Sequence, residues 1–145
     1  MTPEDAYKVI LLALCVWREA RGEIVAAKYA VAFSIRNRVL HPSWWGDSWE
    51  SVILKPFQYS SFNAKDPNAV KFPVPADTSW QASVAAALAA FNSTCPDPTE
   101  GSTHYFDRSL DASPPEWTVE MIHVIDIGNL RFFRRPQTSK PLEHA

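Results

Sequence analysis

Cysteine is scarce in this sequence of 145 residues: Cys15 and Cys95 are the only two, so at most one intrachain disulfide can form. Cys15 lies on an apolar stripe at helical spacing, which makes a buried free thiol its expected state. The four histidines, His41, His104, His123 and His144, show no HxxxH spacing, and no CxxC pair accompanies them. A zinc site is therefore unsupported, and no metal or cofactor is expected. An excess of one charge is also missing. With 14 Lys and Arg against 16 Asp and Glu the net charge is −2, and nucleic acid, which calls for a basic stripe, is not an expected partner. The best apolar window, Val9–Trp17, is bracketed by Lys8 and Arg18. It is too short to cross a bilayer, so no membrane insertion is expected. The opening Met1-Thr2-Pro3-Glu4-Asp5 lacks the basic segment of a secretory signal, which leads us to expect synthesis and retention in the cytoplasm.

What is present fits one compact domain with a real core. Apolar residues make up 46% and charged residues 21% of the chain, ordinary values for a globular protein. Six Trp, eight Phe and four Tyr are a generous aromatic supply. Most such rings build a core, and some can line a cleft in which sugar rings stack.

Thr2-Pro3-Glu4-Asp5 reads as a helix start, with Thr at the N-cap, Pro at the first position and acids in the first turn. Tyr7, Ile10, Leu11, Leu14 and Cys15 then recur at helical spacing. The helix is expected to stop near Ala20-Arg21, broken by Gly22. A second helix, about Ile24 to Leu40, is apolar on nearly every side and should be the buried centre of the domain. A short helix follows at Trp49–Leu54, capped by Ser48, and a fourth begins at Asp77 with Trp80, Val84, Ala87, Leu88 and Phe91 on one face. Between them, Pro56 to Ala76 shows no period and carries four prolines. Phe57, Tyr59, Phe62 and Phe72 within it suggest an ordered binding loop. Thr103–Phe106 looks extended. His123–Ile127, Gly128-Asn129 and Leu130–Phe133 read as a β-hairpin closed by a glycine-first turn. The expected fold class is α+β, mostly helical, a single domain over 1–136 with a small C-terminal antiparallel hairpin and a polar tail over 137–145.

The densest polar cluster is Trp17-Arg18-Glu19-Ala20-Arg21-Gly22-Glu23, at the junction of two apolar helices. Solvated charges and an Arg–Glu pair would explain it as a plain helix junction. Glu19, however, falls one turn beyond Cys15 on the buried stripe and in the last turn of its helix, where the dipole disfavours an anion. Desolvation should raise its pKa and make it a candidate proton donor near neutral pH. Arg18 and Arg21 would oppose this if close. Successive helix residues do not share a face, so Arg18 is expected to point away. Glycosidic cleavage ordinarily uses two carboxyl groups. A peptidoglycan strand permits a version with one, because the 6-hydroxyl of muramic acid can attack its own anomeric carbon. A single Glu then donates to the leaving oxygen and takes the hydroxyl proton.

Glu19-Ala20-Arg21-Gly22-Glu23, followed by Ala30-Val31-Ala32 and Asn37-Arg38-Val39, resembles the cell-wall hydrolase family typified by the spore-cortex-lytic enzyme SleB. Gln58-Tyr59-Ser60, Gly101-Ser102-Thr103-His104-Tyr105 and Ile127-Gly128-Asn129 with Phe132-Phe133-Arg134 continue the resemblance in order, over about Leu11 to Arg135. The His104-Tyr105 form and the single-domain length are most similar to phage-encoded, endolysin-like members. The resemblance implies a lysozyme-like fold, lytic transglycosylase activity at the MurNAc–GlcNAc bond with a 1,6-anhydromuramic product, and Glu19 as general acid and base. It implies the peptidoglycan glycan strand as partner, in an enzyme expected to be a monomer that reaches the wall after release, for example through a holin. Arg18 stands where the family commonly has Gly, and Ala27-Lys28 where a Gly-Gln pair is common.

Gln58, Ser60 and Asn63 are candidate ligands for N-acetyl groups or hydroxyls, and Tyr105 is a candidate donor in the cleft. Glu23 is a secondary candidate that could orient or replace Glu19, with a cap or an Arg21 pair as the plainer role. His104, also secondary, should face the opposite side of a regular strand from Tyr105. Asn37 and Arg38 are read as structural partners of loop carbonyls, and Trp44, Trp45, Trp49 and Trp117 as rim or core rings. The alternatives are a hydrolytic muramidase using Asp66, Asp107 or Glu116 as second acid, and a non-catalytic wall-binding or virion protein. A zinc amidase is disfavoured by the histidine spacing.

Overall fold

The computed structural model describes residues 1–136, so the tail expected over 137–145 lies outside the described residues. Helix α1 spans Pro3–Ala20, and Thr2 Oγ1 accepts from the Asp5 N–H at 3.1 Å to cap it. The buried face is broader than the expected stripe and turned from it: Val9, Leu12, Ala13 and Val16 are buried, whereas Tyr7 and Ile10 are about half exposed. The cause is packing on several sides, since α2 (Val25–Leu40), α3 (Trp49–Leu54) and α4 (Thr78–Asn92) all contact α1.

The break between α1 and α2 is not the glycine cap that the sequence suggests. Arg21 keeps right-handed helical angles and Gly22 is not in the left-handed region. The carbonyls orphaned by the helix end are met by side chains instead. Lys28 Nζ donates to Arg21 O at 3.2 Å and to Glu23 O at 2.6 Å, and Ser79 Oγ donates to Arg21 O at 2.9 Å. Lys28 thus reaches back from α2 and closes the turn.

Helix α2 is the buried centre, with Ala27, Ala30, Val31, Ala32, Phe33 and Ile35 fully enclosed. Helix α4 packs on both α1 and α2 and buries Ser83, Ala86, Ala87 and Ala90, small residues that permit close approach; Leu88, expected on the buried face, is partly exposed. The Asp77 side chain caps α4 by accepting from Ser79 N and Trp80 N, and Ser48 and Ser51 cap α3 reciprocally.

The proline-rich stretch after α3 is ordered by two 3-10 turns, Ser60–Phe62 and Pro67–Val70. Arg18 gathers it. Its guanidinium donates to the carbonyls of Ser61 (3.3 Å), Ala69 (3.1 Å) and Lys71 (3.1 and 3.2 Å). The Phe62 and Phe72 rings lie 4.8 and 4.9 Å from the guanidinium carbon.

The final third forms a three-stranded antiparallel sheet rather than a hairpin alone. Its strands β1 (His104–Asp107), β2 (Ile122–Ile127) and β3 (Leu130–Arg134) lie in the order β1-β3-β2. The hairpin between β2 and β3 turns at Gly128-Asn129 as expected, pairing Ile127 with Leu130. Strand β1 joins the other edge of β3, pairing Tyr105 with Phe132. Two residues of α2 fix its approach. Asn37 Nδ2 donates to Asp97 Oδ2 (2.8 Å) and Ser102 O (2.9 Å), and Arg38 Nε donates to Thr103 O (2.6 Å). The α+β class is therefore found, with helices on one side of the sequence and the sheet on the other.

Gly128 has φ +60°, and a Cβ there would lie 2.8 Å from Glu23 Oε1. Gly128→Ala should therefore destabilise the fold by about 1–2 kcal/mol from the left-handed backbone alone. Urea unfolding should show a lowered midpoint with an unchanged m-value; an unaltered midpoint would contradict this view of the turn.

Candidate active site

Glu19 lies in the last turn of α1, and its carboxyl opens on a cavity of about 150 Å³ lined by Glu19, Arg38, Gln58, Tyr59, His104, Tyr105 and Trp117. The walls come from α1, α2, the 56–76 loop and β1, so the loop and strand expected to flank Glu19 do so. A larger cavity, about 750 Å³, lies between Leu40, His41, Glu100 and Arg134–Pro136 and does not include Glu19. A third, about 540 Å³, shares His104 and Trp117 with the Glu19 cavity and adds Trp44, Trp45 and Met121.

Burial is the main influence on Glu19 and raises its pKa above the ordinary carboxyl value. The Ser61 side chain and N–H and the Tyr105 hydroxyl favour the charged form and pull the other way, and the Asp66 charge adds to the rise. Ser61 Oγ acts from beyond hydrogen-bonding geometry, since it makes no hydrogen bond. The Tyr105 hydroxyl donates to Glu19 Oε1 at 3.1 Å. Neither neighbouring arginine lowers the value. Arg18 is engaged with the loop carbonyls, and Arg21 sits 4.4 Å from the Trp17 ring and donates to Asn68 Oδ1 at 3.1 Å.

The other candidates separate. Tyr105 meets Glu19, and burial followed by the Glu19 charge holds its phenol protonated far above its usual range. His104 packs against Trp117 and Trp45, with ring centroids 4.9 and 5.7 Å away, while Nδ1 and Thr103 Oγ1 share a hydrogen bond of 2.8 Å. Burial, then the charges of Arg38 and Arg135, push its pKa down to about 3. It is a neutral imidazole at the cavity wall rather than a proton donor near neutral pH. Gln58 lines the cavity, although its amide nitrogen is committed to Trp45 O (3.0 Å) and Val52 O (2.8 Å).

Ser60 and Asn63 are not in the cavity wall. The 3-10 turn leaves Ser60 exposed and buries Ser61, which is the serine that influences Glu19. Asn63 Oδ1 accepts from the Phe57 N–H at 2.9 Å and so supports a residue held at φ +65°. Glu23 does not pair with Arg21 and is not in the wall either. It accepts from the Asn129 N–H (3.0 Å) and side-chain amide (3.4 Å), which ties the hairpin turn to the start of α2. Asp107 and Glu116 are exposed, Asp107 accepting from Ser109 N, whereas Asp66 is within electrostatic range of Glu19. Both cysteines are free, Cys15 buried and Cys95 exposed. Among the described residues no group of three or more His, Cys, Asp or Glu is placed to hold a metal ion.

In the sequence Arg38 reads as a structural residue, Trp117 as a rim or core ring, and nothing marks Ser61. Arg38 does bind a loop carbonyl, as expected, but it also lines the cavity. No local pattern marks these residues, because each depends on how loop and strand fold over α1.

A raised pKa in the folded state means that the folded chain holds the Glu19 proton more tightly than the unfolded chain does. The stability this contributes is complete below the ordinary carboxyl value of 4.5 and is lost as pH rises through the elevated value. Glu19→Gln, a neutral mimic of the acid, should therefore be more stable than the parent at high pH, with the difference closing at low pH. Urea titrations across the range should show this convergence; a gap independent of pH would refute the desolvated carboxyl.

Comparison with known proteins identifies the family and the fold. The family model described as Cell Wall Hydrolase matches residues 22–133. The catalytic domain of the Bacillus cereus SleB protein is 26% identical, with 88% of this chain and 89% of that chain covered and a TM-score of 0.68. The catalytic domain of the germination-specific lytic transglycosylase SleB from Bacillus anthracis is 25% identical, with 92% and 97% covered and a TM-score of 0.70. No curated protein matches the sequence. The family model spans most of the chain and the fold is that of the SleB catalytic domains, so the chain belongs to the cell wall hydrolase family.

Proposed function

We propose that the chain cleaves the MurNAc–GlcNAc bond of peptidoglycan as a lytic transglycosylase, with Glu19 as its single general acid and base. The observation that carries this reading is the partly buried, desolvated Glu19 carboxyl, its pKa raised, at the wall of a cavity and held by Tyr105. Burial favours the protonated carboxyl, and that proton passes to the glycosidic oxygen as its bond to the muramyl C1 breaks. The muramyl 6-hydroxyl then bonds to C1 and its proton returns to Glu19, which leaves a 1,6-anhydro ring and the original acid. The Tyr105 hydroxyl, fixed as a donor on Oε1, orients the carboxyl and stabilises it while it is charged. The neighbouring imidazole of His104 is neutral and supplies no competing acid. The Bacillus anthracis relative, described as a lytic transglycosylase, supports the same product.

Asp66 favours a second reading, hydrolysis by water, because its charge reaches Glu19. Its Oδ1 already accepts from Asn68 N at 2.8 Å, which suits it to shaping the loop.

Digestion of purified peptidoglycan followed by mass spectrometry tests both readings. Wild-type products should end in 1,6-anhydromuramic acid; reducing-end sugars would transfer the role of second acid to Asp66. Glu19→Gln should lower the rate by about 10²–10⁴-fold or more with the fold intact. Glu23→Gln should cost far less activity, because Glu23 holds a turn and not the reacting atoms. The rate should also decline as pH rises through the elevated pKa of Glu19, since the acid form is the one that starts the reaction.

A further inference from the structure

The Glu19 cavity is the first of three that share walls in succession. It has His104 and Trp117 in common with the 540 Å³ cavity, which in turn has Trp45, Arg135 and Pro136 in common with the 750 Å³ cavity. The steps along this row are short. The Trp117 and His104 ring centroids are 4.9 Å apart, those of His104 and Trp45 are 5.7 Å apart, and the Arg135 guanidinium carbon lies 5.6 Å from the Trp45 ring.

The walls change character along the row. Rings dominate the middle, where Trp44 is 62% exposed on a turn closed by the paired backbones of Ser43 and Gly46. The far end is basic. Arg134 and Arg135 both line it, and neither has a carboxylate partner among the described residues. Arg135 is nevertheless held in place, because its Nη1 donates to Ser43 Oγ at 3.1 Å while the guanidinium rests against Trp45. Its charge reaches back to His104, at the wall of the Glu19 cavity. Glu100 and Glu120 stand on the same walls, but both are exposed and neither pairs with either arginine.

A neutral sugar chain offers these arginines no countercharge. Peptidoglycan does, since each muramyl residue can carry a short acidic peptide on its 3-O-lactyl group. The planar fork of a guanidinium matches a carboxylate. An extended peptide of four residues covers about 13–14 Å, enough to pass several rings placed 5–6 Å apart. We propose that Arg134 and Arg135 form a carboxylate-reading site for the stem peptide of a muramyl residue bound at Glu19, the peptide lying along Trp117 and Trp44. This presupposes the peptidoglycan substrate proposed above, and it assigns residues that recognise the peptide rather than the sugars. A neutral polymer of N-acetylglucosamine would leave the basic end unused.

The test is a binding measurement on the Glu19→Gln protein. Its two ligands are soluble glycan strands with uncrosslinked stem peptides and the same strands stripped of peptide by an amidase. Calorimetry should give about three- to tenfold tighter binding of the peptide-bearing strands, the size expected of charge-assisted pairs that are partly exposed. Added salt should shrink that ratio. Coupling the peptide carboxyls to methylamine should remove most of it, and so should adding Arg134→Gln together with Arg135→Gln. Arg135→Lys, which keeps the charge and loses the fork, should retain part of it. Methylamidation alters the strand and not the protein, so it decides the matter even if the paired glutamine variant fails to fold by circular dichroism. A ratio near one in the Glu19→Gln protein would overturn the site, as would no measurable binding of either strand. A ratio that survives methylamidation, or survives both glutamines in a folded protein, would overturn it equally. Reducing-end products from the wild-type enzyme would overturn the transglycosylase reading without touching these ratios.

Discussion

The guanidinium of Arg18 is the point on which the site depends. A proline-rich loop with little regular structure has carbonyls that need donors, and burying them unpaired would be costly. Arg18 supplies several donors from one rigid plane and holds the carbonyls of Ser61, Ala69 and Lys71 together. Two results follow from one contact. The loop closes over the end of α1, and the positive charge nearest Glu19 in sequence is drawn away from its carboxyl. Arg18 is thus compatible with a raised pKa at the next residue because the guanidinium is committed elsewhere.

Desolvation and hydrogen bonding then compete at Glu19, and desolvation is the larger. The balance comes from the same construction. The loop contributes Ser61, which favours the charged form, and also removes water, which disfavours it. Strand β1 contributes the Tyr105 hydroxyl as a single donor. Hydrogen bonds to the charged form lower a carboxyl pKa. At Glu19 burial outweighs those of Tyr105 and Ser61, so the group is oriented while its pKa stays raised.

Much of the fold was legible because its signals are local. The caps at Thr2, Ser48 and Asp77, the apolar run of α2 and the glycine-first turn before Leu130 each act within a few residues. Glu19 was legible from its place on a buried stripe at a helix end. The rest needed contacts between residues far apart in sequence. Gly22 reads as a helix breaker, yet Lys28 and Ser79 terminate α1 from two other helices. Ser60 and Asn63 look like polar loop ligands, yet a single 3-10 turn decides that Ser61 faces inward. Glu23 looks like a partner for Arg21, yet a turn more than a hundred residues away takes its carboxylate. Arg38 binds a loop carbonyl and also lines the cavity, a place it takes only when strand β1 and the loop have folded against α2.

The distribution of the site along the chain has a consequence for when the protein becomes active. Glu19 is near the start, but the strand carrying Tyr105 is aligned by pairing with Phe132. During synthesis the helices can pack as they emerge, while the carboxyl stays open to water until the third strand is made. Helix packing alone therefore leaves Glu19 without its Tyr105 partner, and the proposed acid is assembled only when the last strand has paired.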